Sequence, residues 1–319
     1  MENNKLLIIV NPCSGKAKMK NALMRVVQIF SNADYEVTVY PTKARGDATE
    51  YVKKLSQDAF ERIIVCGGDG TLNEVVTGLV NAGLSYKIGY IPAGTLNEWS
   101  SSLHISRNIY TAAEDIINGT EIQLDLGQFG DKNFCYTASF GAFTSASYSA
   151  PQNIKNILGQ AAYFFEGIKS LANIKSVHLK FIADDREIEG DFLFGAVSNS
   201  MSVGGVVKFK KALVKLNDGL FEVVLIRKPT NILKLKSYID AILRHDLNRE
   251  GIEFFHTKKL TVIGGENVPW TLDGEFAEGK DYIEIENLPS ALRLILPKDA
   301  GEKSAEQLEG TLPDIETNN

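Results

Sequence analysis

The sequence predicts two domains of different texture, an N-terminal α/β domain wound around a parallel sheet and a C-terminal domain rich in β-strands. Three observations predict this. Up to about residue 122, short apolar runs alternate with amphipathic helical patterns, the rhythm of βαβ units. Beyond it, strand patterns separated by turn residues take over. The 319 residues, 44% hydrophobic and 23% charged, exceed what one compact domain usually needs and have an ordinary globular composition.

Strands are expected at residues 6–10, 35–40, 62–66 and 87–91. The first and third are almost continuously apolar, as parallel strands covered on both faces tend to be. Helical patterns lie at residues 16–30, 46–55, 72–81 and 109–118, so the sheet is doubly wound and its ligands belong beyond the carboxyl ends of the strands. In the second part strands are expected at residues 178–183 and, after the turn Asp184-Asp185-Arg186, at 192–198, then at 220–226, 259–263, 282–285 and 292–296. Two helical patterns interrupt them, at residues 154–171 and 232–243. The expected boundaries are therefore 1–122 for the α/β domain, 123–290 for the β-rich domain, and 298–319 for an acidic tail expected to be disordered.

The net charge of −6 and pI near 5.4 exclude a dedicated nucleic-acid binder, which needs a basic field. From Asp299 onward six acidic residues face one lysine, so the tail carries −5 of the total and the folded body is nearly neutral. Cys13, Cys66 and Cys135 are odd in number and widely spaced, which suggests neither a disulfide framework nor a zinc site, and fits a reducing cytoplasm. The apolar run at residues 6–10 is shorter than the core of a signal peptide. No run approaches the roughly 18 apolar residues of a membrane span, so any membrane contact is expected to be peripheral.

The strand expected at residues 62–66 runs into Gly67-Gly68-Asp69-Gly70-Thr71-Leu72-Asn73-Glu74 and then a helical pattern. Glycines there let backbone N–H groups approach a phosphate, and a helix N-terminus adds a favourable potential for an anion. Thr71 is placed to cap the helix or to bond a phosphate oxygen. Asp69 repels phosphate, so it points to a metal ion or its waters. A tight strand-to-helix turn with a capping threonine has the same outline. The spacing fits neither Gly-x-x-x-x-Gly-Lys-Ser/Thr nor Gly-x-Gly-x-x-Gly.

Two more loops follow strands on the same edge. One is Asn11-Pro12-Cys13-Ser14-Gly15-Lys16, where Ser14 can cap and Lys16 opens a helix, an odd place for a cation without an anion beside it. The other is Pro92-Ala93-Gly94-Thr95-Leu96-Asn97-Glu98. Three such loops are expected to converge on one crevice.

Together, Asn11-Pro12-x-Ser14-Gly15, the Gly67-to-Glu74 loop, Pro92-x-Gly94-Thr95-x-Asn97 and the late Asp273-Gly274-Glu275 resemble the diacylglycerol kinase catalytic-domain family, which includes soluble bacterial diacylglycerol kinases and sphingosine kinases. The resemblance runs in order from about residue 6 to 296. It implies a nucleotide-binding α/β domain, a β-sandwich for the second domain, and a last strand, about 291–297, returning to the first. It implies transfer of the ATP γ-phosphate, with Mg2+, to the hydroxyl of diacylglycerol or a related lipid at the membrane surface, feeding phospholipid metabolism. By motif, Asn11, Pro12, Cys13, Ser14, Gly15, Thr42, Gly67, Gly68, Asp69, Gly70, Thr71, Leu72, Asn73 and Thr95 are the implied nucleotide contacts. Glu275 is the implied general base, with Asp273 beside it. The stretch Lys215-Leu216-Asn217-Asp218-Gly219-Leu220 resembles a structural magnesium site, with the Asp218 carboxylate and the Lys215 and Leu220 carbonyls as ligands.

The chemistry is consistent: transfer to an alcohol needs a metal to offset charge and a carboxylate to take the proton. Read from residues alone, Asp273-Gly274 equally fits a hairpin turn, and Asn217-Asp218-Gly219 an ordinary loop. One departure stands out. The family usually has Asn-Asp and soon an arginine, whereas this chain has Asn97-Glu98-Trp99-Ser100-Ser101 and no arginine before Arg107. Asp69 and Glu98 are the carboxylates of a catalytic magnesium network in this reading.

For the lipid, Phe140, Phe143, Tyr148, Tyr163, Phe164 and Phe165 are candidate contacts, although aromatics more often fill cores. The lysines Lys16, Lys18 and Lys20, and Lys208, Lys210, Lys211 and Lys215, are candidates to face headgroups. His104, His178, His245 and His256 fall in no motif, and a homodimer stays open. Two other readings remain: an NAD kinase, which shares a Gly-Gly-Asp-Gly-Thr loop, and a nucleotide or lipid sensor without turnover.

Overall fold

The computed structural model describes residues 4–95, 97–141, 176–203, 207–209 and 214–298, without the side chains of Lys16, Ala17, Lys18 and Lys208. The helix expected over 154–171, the candidates Phe143, Tyr148, Tyr163, Phe164, Phe165, Lys210 and Lys211, and the tail from 299 lie outside the described residues, as do the three lysine side chains at 16, 18 and 208. The chain forms two compact units: Met1–Leu124 with Lys210–Asp218 and Ser290–Asn319, and Asp125–Phe209 with Gly219–Pro289.

In the first unit β1 (Lys5–Val10), β2 (Glu36–Pro41), β3 (Arg62–Gly67) and β4 (Lys87–Pro92) form a parallel sheet in the order β4-β3-β1-β2. Alternate side chains of a strand leave opposite faces. Leu6, Ile8, Val10, Ile64 and Cys66 therefore pack with Met19, Val26 and Phe30 of α1 (Lys18–Asn32) and Ala112, Ala113 and Ile116 of α5 (Ile109–Asn118). Leu7, Ile9, Ile63 and Val65, equally buried, face the other side, where α2 (Asp47–Val52) and α3 (Asp69–Ala82) pack together. Helices on both faces make the sheet doubly wound. The order reverses between β1 and β3, which puts the loops after these two strands side by side.

Two expected helix starts differ. A short 3-10 turn (Ser14–Ala17) precedes α1. The helix α3 begins at Asp69 rather than residue 72, with Gly68 as N-cap, so Asp69, Gly70 and Thr71 are its first turn. No side chain caps it, and Thr71, expected as a cap, lies inside the helix. A short α4 (Glu98–Ser102) follows the third loop.

The second unit is antiparallel. After β5 (Thr120–Phe129), β6 (Lys132–Phe134), β7 (Thr137–Gly141), β8 (Val177–Ala183), β9 (Glu187–Ser198), β10 (Ser202–Val203), β11 (Val207–Lys208) and β12 (Phe221–Arg227) come α6 (Ile232–Leu243), β13 (Ile252–Thr257), β14 (Lys259–Ile263), β15 (Pro269–Leu272), β16 (Glu275–Glu278) and β17 (Tyr282–Leu296). The first half of β9 pairs with β8, while its second half lies between β7 and β12, so one strand serves both layers of a β-sandwich. Between them is an aromatic core with Phe129, Phe134, Phe140, Phe181, Phe192, Phe221, Phe255 and Trp270. Phe140 is fully buried and stacks on Phe181, so this candidate lipid contact belongs to the core.

The runs at 282–285 and 292–296 are one strand, not two. Residues 282–286 pair with β14, and Arg293 and Leu294 run parallel to β4 in the first unit. Pro289 and Ser290, whose φ is 53°, look like a break in sequence but are carried within the strand.

Candidate active site

The three glycine-bearing loops meet at the carboxyl edge of the first unit. The Asn11 N–H donates to Cys66 O (2.9 Å) and the Ala93 N–H to Gly67 O (2.7 Å), joining each loop to its neighbour. Gly15, with φ of 52°, lies so close to the third loop that a Cβ there would come within 1.8 Å of Ala93 O. A Cβ on Gly94 would meet Gly68 Cα at 2.7 Å, so the second and third loops touch backbone to backbone. Asn11 fastens the first loop, its Oδ1 accepting from the Cys13 N–H (2.9 Å) and its Nδ2 donating to Thr71 Oγ1 (3.2 Å). Pro12 is half-buried, Cys13 exposed and Ser14 buried.

The motif residues thus divide by what they face. Leu72 is 1% exposed, because its helical phase turns it to the core, and it has only its backbone to offer a ligand. Thr71 is buried as well, while Thr95 is exposed. Asn73 accepts from Thr77 Oγ1 (3.4 Å). Glu74 clamps α2: its carboxylate accepts from the N–H groups of Gly46 (2.8 Å) and Ala48 (3.3 Å). That clamp fixes the end of the loop that begins at Thr42, whose N–H donates to Val10 O (2.9 Å).

Asp69 stands where the second and third loops join. Its Oδ2 accepts from the Glu98 N–H (2.9 Å) and its Oδ1 from the Tyr90 hydroxyl (3.2 Å). Burial pushes its carboxyl above the usual range, against the pull of the Glu98 N–H, the Tyr90 hydroxyl and the charge of Arg107. Tyr90, 1% exposed, also reaches Gly67 O (3.4 Å) and Asn97 Oδ1 (3.5 Å), and so ties both loops to β4. Sequence reasoning missed it. The available signal was a hydroxyl inside the otherwise apolar run at residues 88–92.

In the second unit, Asp273 and Gly274 are the two central residues of the hairpin between β15 and β16, with Leu272 paired to Glu275. Both have positive φ, 51° and 85°, as a type I′ turn requires. Asp273 points inward: its Oδ2 accepts from the Cys135 N–H (2.6 Å), its Oδ1 from those of Tyr136 (2.9 Å) and Thr137 (3.1 Å). This carboxylate anchors the turn that carries Glu275. Glu275 is exposed at the start of β16.

Magnesium takes oxygen donors and keeps much of its water. Asp69 and Glu98 suit that habit, since the two residues are linked through a peptide N–H and Glu98 is exposed. Among the described residues no group of three or more His, Cys, Asp or Glu could hold a metal. The protein's share of a shell would be one or two carboxylates. Lys215, Asp218 and Leu220 belong to the turn leading into β12, where the N–H of Gly219 donates to the fully buried Asp125 carboxylate at 2.7 Å.

The chain is similar to known proteins along most of its length. Residues 5–129 match the family model for the diacylglycerol kinase catalytic domain, and residues 138–296 that for the YegS C-terminal NAD kinase beta sandwich-like domain. A diacylglycerol kinase of Bacillus subtilis is 32% identical over 93% of this chain and 97% of its own length. One of Staphylococcus carnosus is 31% identical over 92% and 95%. The crystal structure of a diacylglycerol kinase from Bacillus anthracis superposes with a TM-score of 0.74 at 26% identity, covering 93% of this chain and 98% of that one.

Proposed function

Because the chain belongs to the diacylglycerol kinase family, we propose that it transfers the γ-phosphate of ATP, with magnesium, to the hydroxyl of diacylglycerol or a closely related lipid and so feeds phospholipid metabolism. The observation that carries this reading is the convergence of three glycine loops on Asp69 and the N-terminus of α3. Backbone N–H groups of a helix's first turn have no acceptor within the helix and receive phosphate oxygens. Gly15 and Gly94 let the three loops close on one another there, since a Cβ on either would run into the neighbouring loop.

When bound, magnesium offsets charge on the transferring phosphoryl group. Asp69 and Glu98 would hold it, largely through its waters, and Asp218 with the Lys215 and Leu220 carbonyls would hold a structural ion. Glu275 takes the proton from the acceptor hydroxyl. Asp273 fixes the turn that presents Glu275, by engaging three N–H groups at the start of β7 and before it. The lipid is met at the membrane surface by a cytoplasmic protein. No helix among the described residues is long and apolar enough to cross a membrane.

The test is magnesium-dependent transfer of labelled phosphate from ATP to a panel of long-chain alcohols in mixed micelles. Labelled phosphatidic acid, the phosphate ester of diacylglycerol, is the expected product, with ADP released. Transfer to NAD but to no lipid would sink the proposal, and ATP binding without any transfer would leave a sensor.

A further inference from the structure

Two of the three loops at the site, residues 67–74 and 92–98, contain three acidic residues and neither lysine nor arginine, while the first loop ends on Lys16. A polyphosphate brought there adds negative charge to negative charge. One cation on this side, among the described residues, is Arg107, which follows α4 and whose charge acts on Asp69. His104 takes a φ of 56° and turns the chain, and the Ile105 N–H donates to Ser100 O (2.9 Å) while its side chain is buried. On the other side Asn108 is the N-cap of α5, its Oδ1 accepting from Tyr110 and Thr111. Arg107 is thus held at both flanks, and its Nη2 donates to Ser101 Oγ at 2.8 Å. Ser101 lies one helical turn after Glu98, whose N–H is bonded to Asp69.

From this placement we infer that Arg107 is a phosphate-binding residue of the nucleotide site in the first unit, positioned by Ser101. The inference rests on the nucleotide reading above. The guanidinium reaches back to Ser101 in α4, and its planar set of donors matches phosphate oxygens in a way a single ammonium does not. Arg107 and Ser101 are both exposed and so open to a ligand, and the turn at His104 and the Asn108 cap of α5 hold the backbone on either side of Arg107.

The experiment is calorimetric binding of ATP and of adenosine to the full chain, for wild type, Arg107→Ala, Arg107→Lys, and Arg107→Ala combined with Ser101→Arg. Arg107→Ala should weaken ATP about tenfold and leave adenosine unchanged, because the lost contact is to phosphate. Arg107→Lys should lose less, and the guanidinium moved to position 101 should restore much of the affinity. Unchanged ATP affinity in Arg107→Ala, or equal weakening of ATP and adenosine, overturns the role of Arg107 while the kinase proposal stands. If wild type binds no ATP at all, both fall.

Discussion

The phosphate side of the first unit and the Asp273–Glu275 hairpin of the second reach precision by different means. The first is made of backbone: three loops touch through Gly15, Gly68 and Gly94, and side chains such as Asn11 and Tyr90 tie them together. The second is a two-residue turn centred on Asp273, whose inward carboxylate accepts three N–H groups and whose own N–H donates to Thr137 O at 2.9 Å. A backbone-built site tolerates many side-chain changes but few added Cβ atoms. A turn centred on one residue depends heavily on that residue.

Substitutions can break this contrast. The largest effect expected is from Glu275→Ala, which should lower the rate of transfer by about 10²- to 10⁴-fold, the usual contribution of a general base, with ATP affinity retained. Steady-state kinetics beside calorimetry separates the two, and equal loss of both would assign Glu275 a structural role.

Asp273→Ala comes next. It leaves three N–H groups without their acceptor and should cost about 3 kcal/mol of stability, read from denaturant unfolding. Activity should fall through a misplaced Glu275, while ATP binding in the other unit is kept. Gly15→Ala sharpens the comparison from the opposite side, because the new methyl would press on Ala93 O at a positive φ. It should cost roughly 2 kcal/mol and abolish tight ATP binding.

The smallest effect belongs to neither region. His178 lies 3.0 Å from Asp191 and 3.4 Å from Glu189, whose carboxylates raise its pKa. A raised value means the folded chain binds the proton more tightly, so this stabilisation is present below about pH 6.5 and is lost as pH rises through the higher folded value. His178→Gln should remove that shallow pH dependence of the melting temperature without altering transfer.

Much of the fold was legible because it is encoded at short range. The apolar runs that became β1 and β3, and the period that became α5 and α6, need only their own residues to be read. The start of α3 was misplaced because Gly68, Asp69 and Gly70 look like loop, whereas the preceding strand aims them straight into a helix. The hairpin strands β15 and β16 are four residues each and become strands through pairing with β7 and with each other. Phe140 read as a candidate for lipid contact because an aromatic residue carries no mark of whether a core awaits it.

The motif residues, the βαβ rhythm and the Asp-Gly turn were present in the order of the amino acids, since glycine freedom, helical period and turn chemistry act over a few residues. Tertiary structure alone decided that Asp273 points inward, that Tyr90 joins two loops, that Glu74 serves α2, and that Arg107 leans on Ser101. Each of these depends on partners brought near by folding rather than by sequence, from six residues away at Ser101 to 138 at Cys135. A hydrogen bond is specified by where its partner ends up, and local pattern carries no record of that.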